Sequence, residues 1–217
     1  MNTPIVLISM RVTEETSYVE RRSALADDYV RWFESDGRLV VPVPSITGDV
    51  GPYLDLPNVR VVVLTGGNNV DPTRYGSAET VPQVYPERDR VEFSMIAGAV
   101  KRGIPVFGVC RGLHTINVYY DGALTTTVEG HVARDHDLVS EHELLRDARC
   151  NSYHNQAVRG EDLSPKLRAL AHSPDGLVEA LYHPTEPVFA VQWHPERQDR
   201  TYDRSLLAAF LAGDFQR

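Results

Sequence analysis

Four short apolar runs, Ile5 to Ile8, Leu39 to Val43, Val59 to Leu64 and Ile104 to Val109, are separated by stretches whose apolar residues recur at helical spacing. Uninterrupted runs of this kind suit parallel strands covered on both faces, where neither side meets water. Between them, Leu25, Tyr29, Trp32 and Phe33 line one helical face that Gly37 stops, and Phe93, Ile96 and Val100 line another that ends at Gly103. The alternation predicts an α/β fold, a doubly wound, mostly parallel sheet. After a helix over Gly112 to Tyr120 the pattern changes to shorter extended segments: Ala123 to Val128, Glu141 to Leu145, Leu167 to Ala171, Gly176 to Leu181 and Val188 to Gln192. These predict antiparallel additions at one side of the sheet. Leu206, Leu207, Phe210 and Leu211 form the stripe of a closing helix from about Tyr202.

No repeat, low-complexity tract or linker divides the 217 residues, so one domain over 1–217 is expected. The formal net charge of −8 argues against a nucleic-acid groove or a polybasic membrane surface. An anionic substrate must therefore be held by a few placed groups. Two distant cysteines in a chain of this length make a disulfide framework improbable and fit a reducing compartment. The start MNTPIVLISMRV reads as a first strand and no run approaches a membrane span, so a cytoplasmic protein is expected.

In IPVFGVCRGLHTINV a buried strand precedes Cys110, a helix follows it, and Gly108 and Gly112 lie two residues away on either side. This is the pattern of a nucleophile elbow with sulfur in place of oxygen, where a sharp strand-to-helix turn needs small neighbours. The helix N-terminus favours thiolate over thiol. Cys150 has no such frame and reads as an ordinary buried thiol. Among eight histidines, His194 has the best context for a base, because it ends the strand of FAVQWHPE and Glu196 follows across Pro195, in reach to hold one imidazole tautomer. The oxyanion expected in acyl transfer needs backbone N–H donors: one from Arg111, another from the loop TGGNNVDPTRYG, where Gly66 and Gly67 follow the strand ending at Leu64.

These segments, with ERDRVEFSMI, CNSYHNQAV and VQWHPE, resemble the class I glutamine amidotransferase-like hydrolases, and within them the γ-glutamyl-γ-aminobutyrate hydrolase branch. The resemblance implies a flavodoxin-like fold, a glutamyl-thioester on Cys110, and His194 and Glu196 completing a triad. It suggests an oxyanion hole from Gly67 and Arg111, and substrate contacts from Gly66, Asn68, Asn151, Ser152, Tyr153 and His154. The opening RVTEETSYVERRSALADDYVRWF, the segment EGHVARDHDL and the motif NSYHNQ look most like γ-glutamyl-CDP-amidate hydrolases of capsule phosphoramidate pathways. Two positions depart from many relatives: His114 stands where a glutamine touches the glutamyl group, and Asp121-Gly122 where a Gly-Gly pair is common.

Arg11, Arg21 and Arg22 fall near the carboxyl end of the first strand, where open α/β sheets bind ligands, and guanidinium groups suit a diphosphate. Solvated surface charge is the plainer reading for each. His131, His136 and His142 are spaced by five and six, which matches no compact ligand motif, so neither metal nor cofactor is expected. The expected partner is a small γ-glutamyl compound. The oligomeric state stays open, with a homodimer compatible. Three functions compete: a stand-alone γ-glutamyl hydrolase, a glutaminase subunit passing ammonia to a synthase, and a non-catalytic member of the fold, which has no need of cysteine, histidine and glutamate together.

Overall fold

The computed structural model describes residues 3–214; Met1 and Asn2, at the head of the segment read as a strand, lie outside them. A seven-stranded sheet has the order β4-β1-β5-β6-β11-β10-β9. Its strands are β1 (Ile5–Ser9), β4 (Leu39–Val43), β5 (Val59–Leu64), β6 (Val106–Val109), β9 (Arg168–His172), β10 (Val178–Tyr182) and β11 (Val188–Val191). Neighbours from β4 to β11 pair in parallel, whereas β10 runs antiparallel to both β11 and β9. This is an α/β fold with a mainly parallel sheet and antiparallel additions at one side.

Successive strand residues face opposite sides of a sheet, and both sides are buried over the central strands β1, β5, β6 and β11. Leu7, Val62 and Leu64 pack with Met95 and Ile96 of α3 (Pro86–Lys101) and Leu113 and Ile116 of α4 (Arg111–Tyr119). Val6, Ile8, Val61 and Val63 pack on the opposite face with Trp32 and Phe33 of α1 (Asp27–Glu34) and Leu206 and Phe210 of α6 (Thr201–Leu211). Gly37 and Gly103 both adopt positive φ, 71° and 65°, just past α1 and α3, as stop residues must when the chain reverses. No helix among the described residues is long and apolar enough to cross a membrane.

Two expected strands are not strands. Over Ala123 to Val128 only Thr125 bridges, to Ala157, because the Asn117 side chain takes the Ala123 carbonyl at 2.8 Å and so removes a ladder acceptor. Within Glu141 to Leu145 a 3-10 turn, Glu143–Leu145, is capped by His142, whose Nδ1 accepts from the Leu144 N–H at 3.3 Å. Conversely, two hairpins lie outside the sheet: β2 (Arg11–Glu14) with β3 (Arg21–Ala24), and β7 (Val132–Asp137) with β8 (Arg149–Tyr153). β2, β3 and β7 are mostly polar and exposed, which hides the alternation that marks a half-buried strand, and β8 buries Cys150, Asn151 and Ser152 in succession, which shows none either.

Candidate active site

Cys110 sits between β6 and α4 with φ 54° and ψ −106°, a region that a side chain enters only when its surroundings impose it. Its N–H donates to the Val191 carbonyl at 2.8 Å. The flanking glycines are required by contact. A Cβ on Gly112 would lie 2.3 Å from the Leu64 carbonyl oxygen, and one on Gly108 would lie 2.7 Å from the Gly112 carbonyl carbon. Any side chain there would push β5, β6 and α4 apart, and the turn that lifts Cys110 would open.

His194 follows β11, and Pro195 opens the single turn α5 (Pro195–Gln198) that carries Glu196. Nδ1 of His194 lies 2.6 Å from Oε1 of Glu196, with both side chains buried. That contact leaves Nε2 for Cys110, which lines the same cavity. The Asn151 amide fixes the histidine backbone from both sides: it accepts from His194 N–H at 2.8 Å and donates to the His194 carbonyl at 2.8 Å. Burial opposes charge on the ring, but the Cys110 thiolate and the Glu196 carboxylate outweigh it and carry His194 up to about 9. Burial likewise pushes the Cys110 thiol up, and the facing His194 charge and hydrogen bond reverse this, leaving it below the ordinary thiol value. A thiolate facing an imidazolium backed by a carboxylate can attack a carbonyl and protonate the departing nitrogen. Gly66 completes the approach, since a Cβ there would lie 2.9 Å from Cε1 of His194 and 3.4 Å from Cβ of Cys110.

The loop after β5 is held by a buried guanidinium. Arg88 donates to the Thr65 carbonyl at 2.7 Å, to the Gly66 carbonyl at 3.1 Å, to the Gly67 carbonyl, and to Oδ1 of Asn68 at 3.0 Å. In a planar trans peptide the next N–H points opposite the carbonyl. Three carbonyls turned to Arg88 therefore turn the N–H groups of Gly66, Gly67 and Asn68 away from it. The Gly66 N–H meets the Tyr29 hydroxyl at 3.1 Å, and Gly67 lines the cavity beside Cys110. Arg88 is itself balanced by Glu92 at 2.9 Å, and Glu92 and Asp89 both pair with the side chain of Arg111, all four fully buried. With that side chain so engaged, Arg111 can serve the cavity only through its backbone. This network escaped the sequence reading, although Arg88, Asp89 and Glu92 all lie in ERDRVEFSMI.

Cys110 stands between two lobes of a cleft, of about 490 Å³ and about 550 Å³, which share Arg11, Gly67 and Tyr153. The first is bordered by Tyr29, His194, Glu196 and Arg197, the second by Asn68, Arg111, His114, His154 and Gln156. Asn68 spends its amide on the Val12 backbone, accepting at 2.8 Å and donating at 3.0 Å. Asn151 serves the His194 backbone, and Ser152 is buried and donates to the His131 carbonyl at 2.8 Å. Arg21 lies outside the cleft, ion-paired with Glu87 and with Glu14 at 3.6 Å, and Arg22 pairs with Glu20. His114 donates or accepts through Nε2 with Oε1 of Gln192 at 2.8 Å, and the Gln192 amide in turn donates to Sγ of Cys110 at 3.9 Å. Burial and the nearby His154 hold His114 down at about 3, so the ring is neutral and Nε2 is the donor. Gln156 was not singled out in the sequence. Both ends of its buried amide meet no partner among the described residues, and they line the second lobe. Its place two residues after His154 within CNSYHNQAV was the available signal.

The sheet order, the antiparallel additions and the cysteine elbow define the fold class of the class I glutamine amidotransferases. The structure of a GMP synthase subunit from Thermoplasma acidophilum has a TM-score of 0.67 at 17% identity, covering 98% of this chain and 94% of that one. A glutamine amidotransferase from Thermotoga maritima gives 0.62 at 18% identity, covering 96% and 83%. These likenesses concern the fold. The chain belongs to the Peptidase C26 family, which matches residues 4–196. It is 34% identical to the glutamine amidotransferase-like protein YvdE of Lactococcus lactis over 85% of this chain and 86% of that protein. It is 29% identical to the γ-glutamyl-γ-aminobutyrate hydrolase of Escherichia coli O157:H7 over 97% and 93%.

Proposed function

We propose that the protein hydrolyses γ-glutamyl amides through a glutamyl-thioester on Cys110. The observation that carries this reading is the buried line of Cys110, His194 and Glu196, with Glu196 2.6 Å from His194 and Cys110 and His194 side by side at a two-lobed cleft. The Cys110 thiolate attacks the γ-carbonyl carbon, and the oxygen becomes an oxyanion facing the N–H groups of Gly67 and Arg111. His194 gives its proton to the amine nitrogen, the C–N bond breaks and the amine leaves. The now neutral His194 takes a proton from water, hydroxide adds to the thioester carbon, and the C–S bond breaks to return the thiolate and release glutamate. The glutamyl group occupies the second lobe, where the unpartnered amide of Gln156 meets its polar end, and the amine portion occupies the first, beside His194.

Within this class the preferred substrate is γ-glutamyl-CDP-amidate, which would leave cytidine diphosphoramidate for capsule biosynthesis. Support comes from the opening segment and EGHVARDHDL, and from Arg11 and Arg197 bordering the first lobe. Arg11 has a buried Nε without a partner among the described residues, as a guanidinium awaiting an anion would. The purified chain is offered γ-glutamyl-CDP-amidate, γ-glutamyl-γ-aminobutyrate and glutamine at equal ionic strength, with released glutamate assayed. The expected result is the highest kcat/KM for the nucleotide, because remote binding energy positions the scissile carbonyl. Equal or better use of γ-glutamyl-γ-aminobutyrate rejects the nucleotide, best use of glutamine indicates a glutaminase subunit, and no glutamate from any of the three rejects the hydrolase.

A further inference from the structure

Tyr29 stands in the buried stripe of α1 with Trp32 and Phe33 and is 5% exposed, in a place that the ring of a phenylalanine would fill equally well. What its hydroxyl adds is a polar atom at nearly full burial, and such an atom costs stability unless it is satisfied. Only half of it is. The oxygen accepts from the Gly66 N–H at 3.1 Å, and the O–H has no acceptor among the described residues. An amide N–H can only donate, so the hydroxyl must turn its own proton elsewhere. Two neighbours define where. Gly66 lies against His194 and Cys110, since a Cβ built on it would be 2.9 Å from Cε1 of the one and 3.4 Å from Cβ of the other. Tyr29 itself borders the first lobe of the cleft together with Cys110, His194 and Glu196. The donor is thus left for a group inside that lobe. Burial, with the charges of Glu196 and Cys110, carries the phenol well above its usual range, so the proton stays on.

We propose that the Tyr29 hydroxyl holds the water that hydrolyses the thioester. The role rests on the γ-glutamyl reading above and lies in its second half. The amine departs through the first lobe beside His194, so the water that replaces it reaches the thioester carbon from that side. A water has two protons and two lone pairs. One proton points to Nε2 of the now neutral His194, one lone pair accepts from the Tyr29 O–H, and the other lone pair is aimed at the carbon. The C–O bond forms as the proton passes to His194, and the tetrahedral oxyanion then collapses. The C–S bond breaks, its electron pair returns to Cys110 as thiolate, and the new carboxyl group gives its proton to solvent to leave glutamate. The Gly66 N–H draws electron density from the hydroxyl oxygen and so strengthens the donor. During thioester formation the amine portion fills the place of the water. The demand for the hydroxyl is therefore confined to the hydrolytic half.

The test gives the full chain and its Tyr29→Phe variant the three amides named above, with amine and glutamate followed separately from the first turnover. Tyr29→Phe keeps the packed ring, and circular dichroism checks that the variant is folded. Amine release is the first irreversible step, so kcat/KM reports thioester formation, whereas slowed hydrolysis lowers kcat alone. We expect Tyr29→Phe to keep kcat/KM within about threefold of the wild type and to lose about tenfold or more in kcat. For the two better substrates kcat should converge on one value, because both leave the same glutamyl-enzyme. A burst of one equivalent of amine should precede the steady state, and mass spectrometry of the denatured variant should find the glutamyl group on Cys110. An equal fall of kcat and kcat/KM would assign Tyr29 to support of the Gly66 loop and overturn the proposal, as would an unchanged kcat or the absence of a burst. Failure of the wild type to release amine from any of the three would instead overturn the γ-glutamyl reading, and this role with it.

Discussion

Nε2 of His114 donates to Oε1 of Gln192 at 2.8 Å, and the amide nitrogen of Gln192 then faces Sγ of Cys110 at 3.9 Å. An amide cannot present its nitrogen to the thiolate unless its oxygen is fixed elsewhere, and His114 fixes it. The histidine thus acts on the proposed nucleophile through a second residue. His114→Ala is expected to lower kcat about tenfold, the size of one loosened hydrogen bond to a charged group, with KM for the amine portion little changed. Because the ring is neutral well below the working range, the alkaline limb of the pH profile should stay in place. A shifted limb would show that His114 titrates in catalysis.

The proposed triad predicts unequal losses. Cys110→Ala should abolish glutamate release with the fold intact, while Cys150→Ser should turn over normally. His194→Ala should lose about 10²–10⁴-fold in kcat, and Glu196→Gln less, since it disturbs orientation and charge without removing the proton carrier. Steady-state kinetics on the four variants decide it. Normal turnover by His194→Ala would remove the mechanism.

The pH dependence follows from the ion pair. In the proposed mechanism activity needs the thiolate and the imidazolium together, so it should rise as Cys110 ionises below the ordinary thiol range and fall as His194 loses its proton near pH 9. Glu196→Gln removes a charge that raises His194 and should move the alkaline limb to lower pH. The kcat/KM profiles of both proteins check the direction.

Gly66→Ala tests the closeness of loop and histidine. A Cβ 2.9 Å from Cε1 of His194 must displace the ring. A shift of this kind should cost about 10²-fold in kcat with little change in the melting temperature. Unchanged kcat would show that the imidazole has room to spare.

The buried charges under the loop make a stability prediction. Glu92 accepts from Arg88 and Arg111 and from the hydroxyls of Ser9 at 2.8 Å and Thr115 at 3.1 Å. Glu92→Leu leaves two guanidinium groups short of a counter-charge and should cost about 3–5 kcal/mol in urea unfolding. Burial raises the Glu92 carboxyl, but the two arginines outweigh it and leave its value lowered. Its stabilisation is therefore full above the ordinary carboxylate value and fades as pH falls through the lower folded one. Removal of Glu92 should flatten stability over that acid window.

Most of the sheet was readable because a parallel strand covered on both faces is apolar over its buried length, as in β1, β6 and Val61 to Leu64 of β5, while the edge strand β4 is apolar although only Val43 is buried. The two hairpins were not, since β2, β3 and β7 expose polar residues and carry no alternation. Ala123 to Val128 misled for a different reason: it is apolar enough for a strand, but the Asn117 side chain takes the Ala123 carbonyl and only Thr125 forms a bridge, to Ala157.

The residue order by itself determined the elbow around Cys110 and the pairing of His194 with Glu196, because each is local. Glycines two residues away set the backbone of one, and a proline between histidine and carboxylate sets the other. What only the tertiary structure decided are the contacts made across strands distant in sequence. Arg88 turns the carbonyls of the Gly66–Gly67 loop away from the cleft, Asn151 serves the His194 backbone, Arg21 is drawn off to Glu87, and Glu179 gathers two histidines and a cysteine. Spacing along a chain cannot report these, since side-chain direction and the packing of separate strands determine which polar atoms meet.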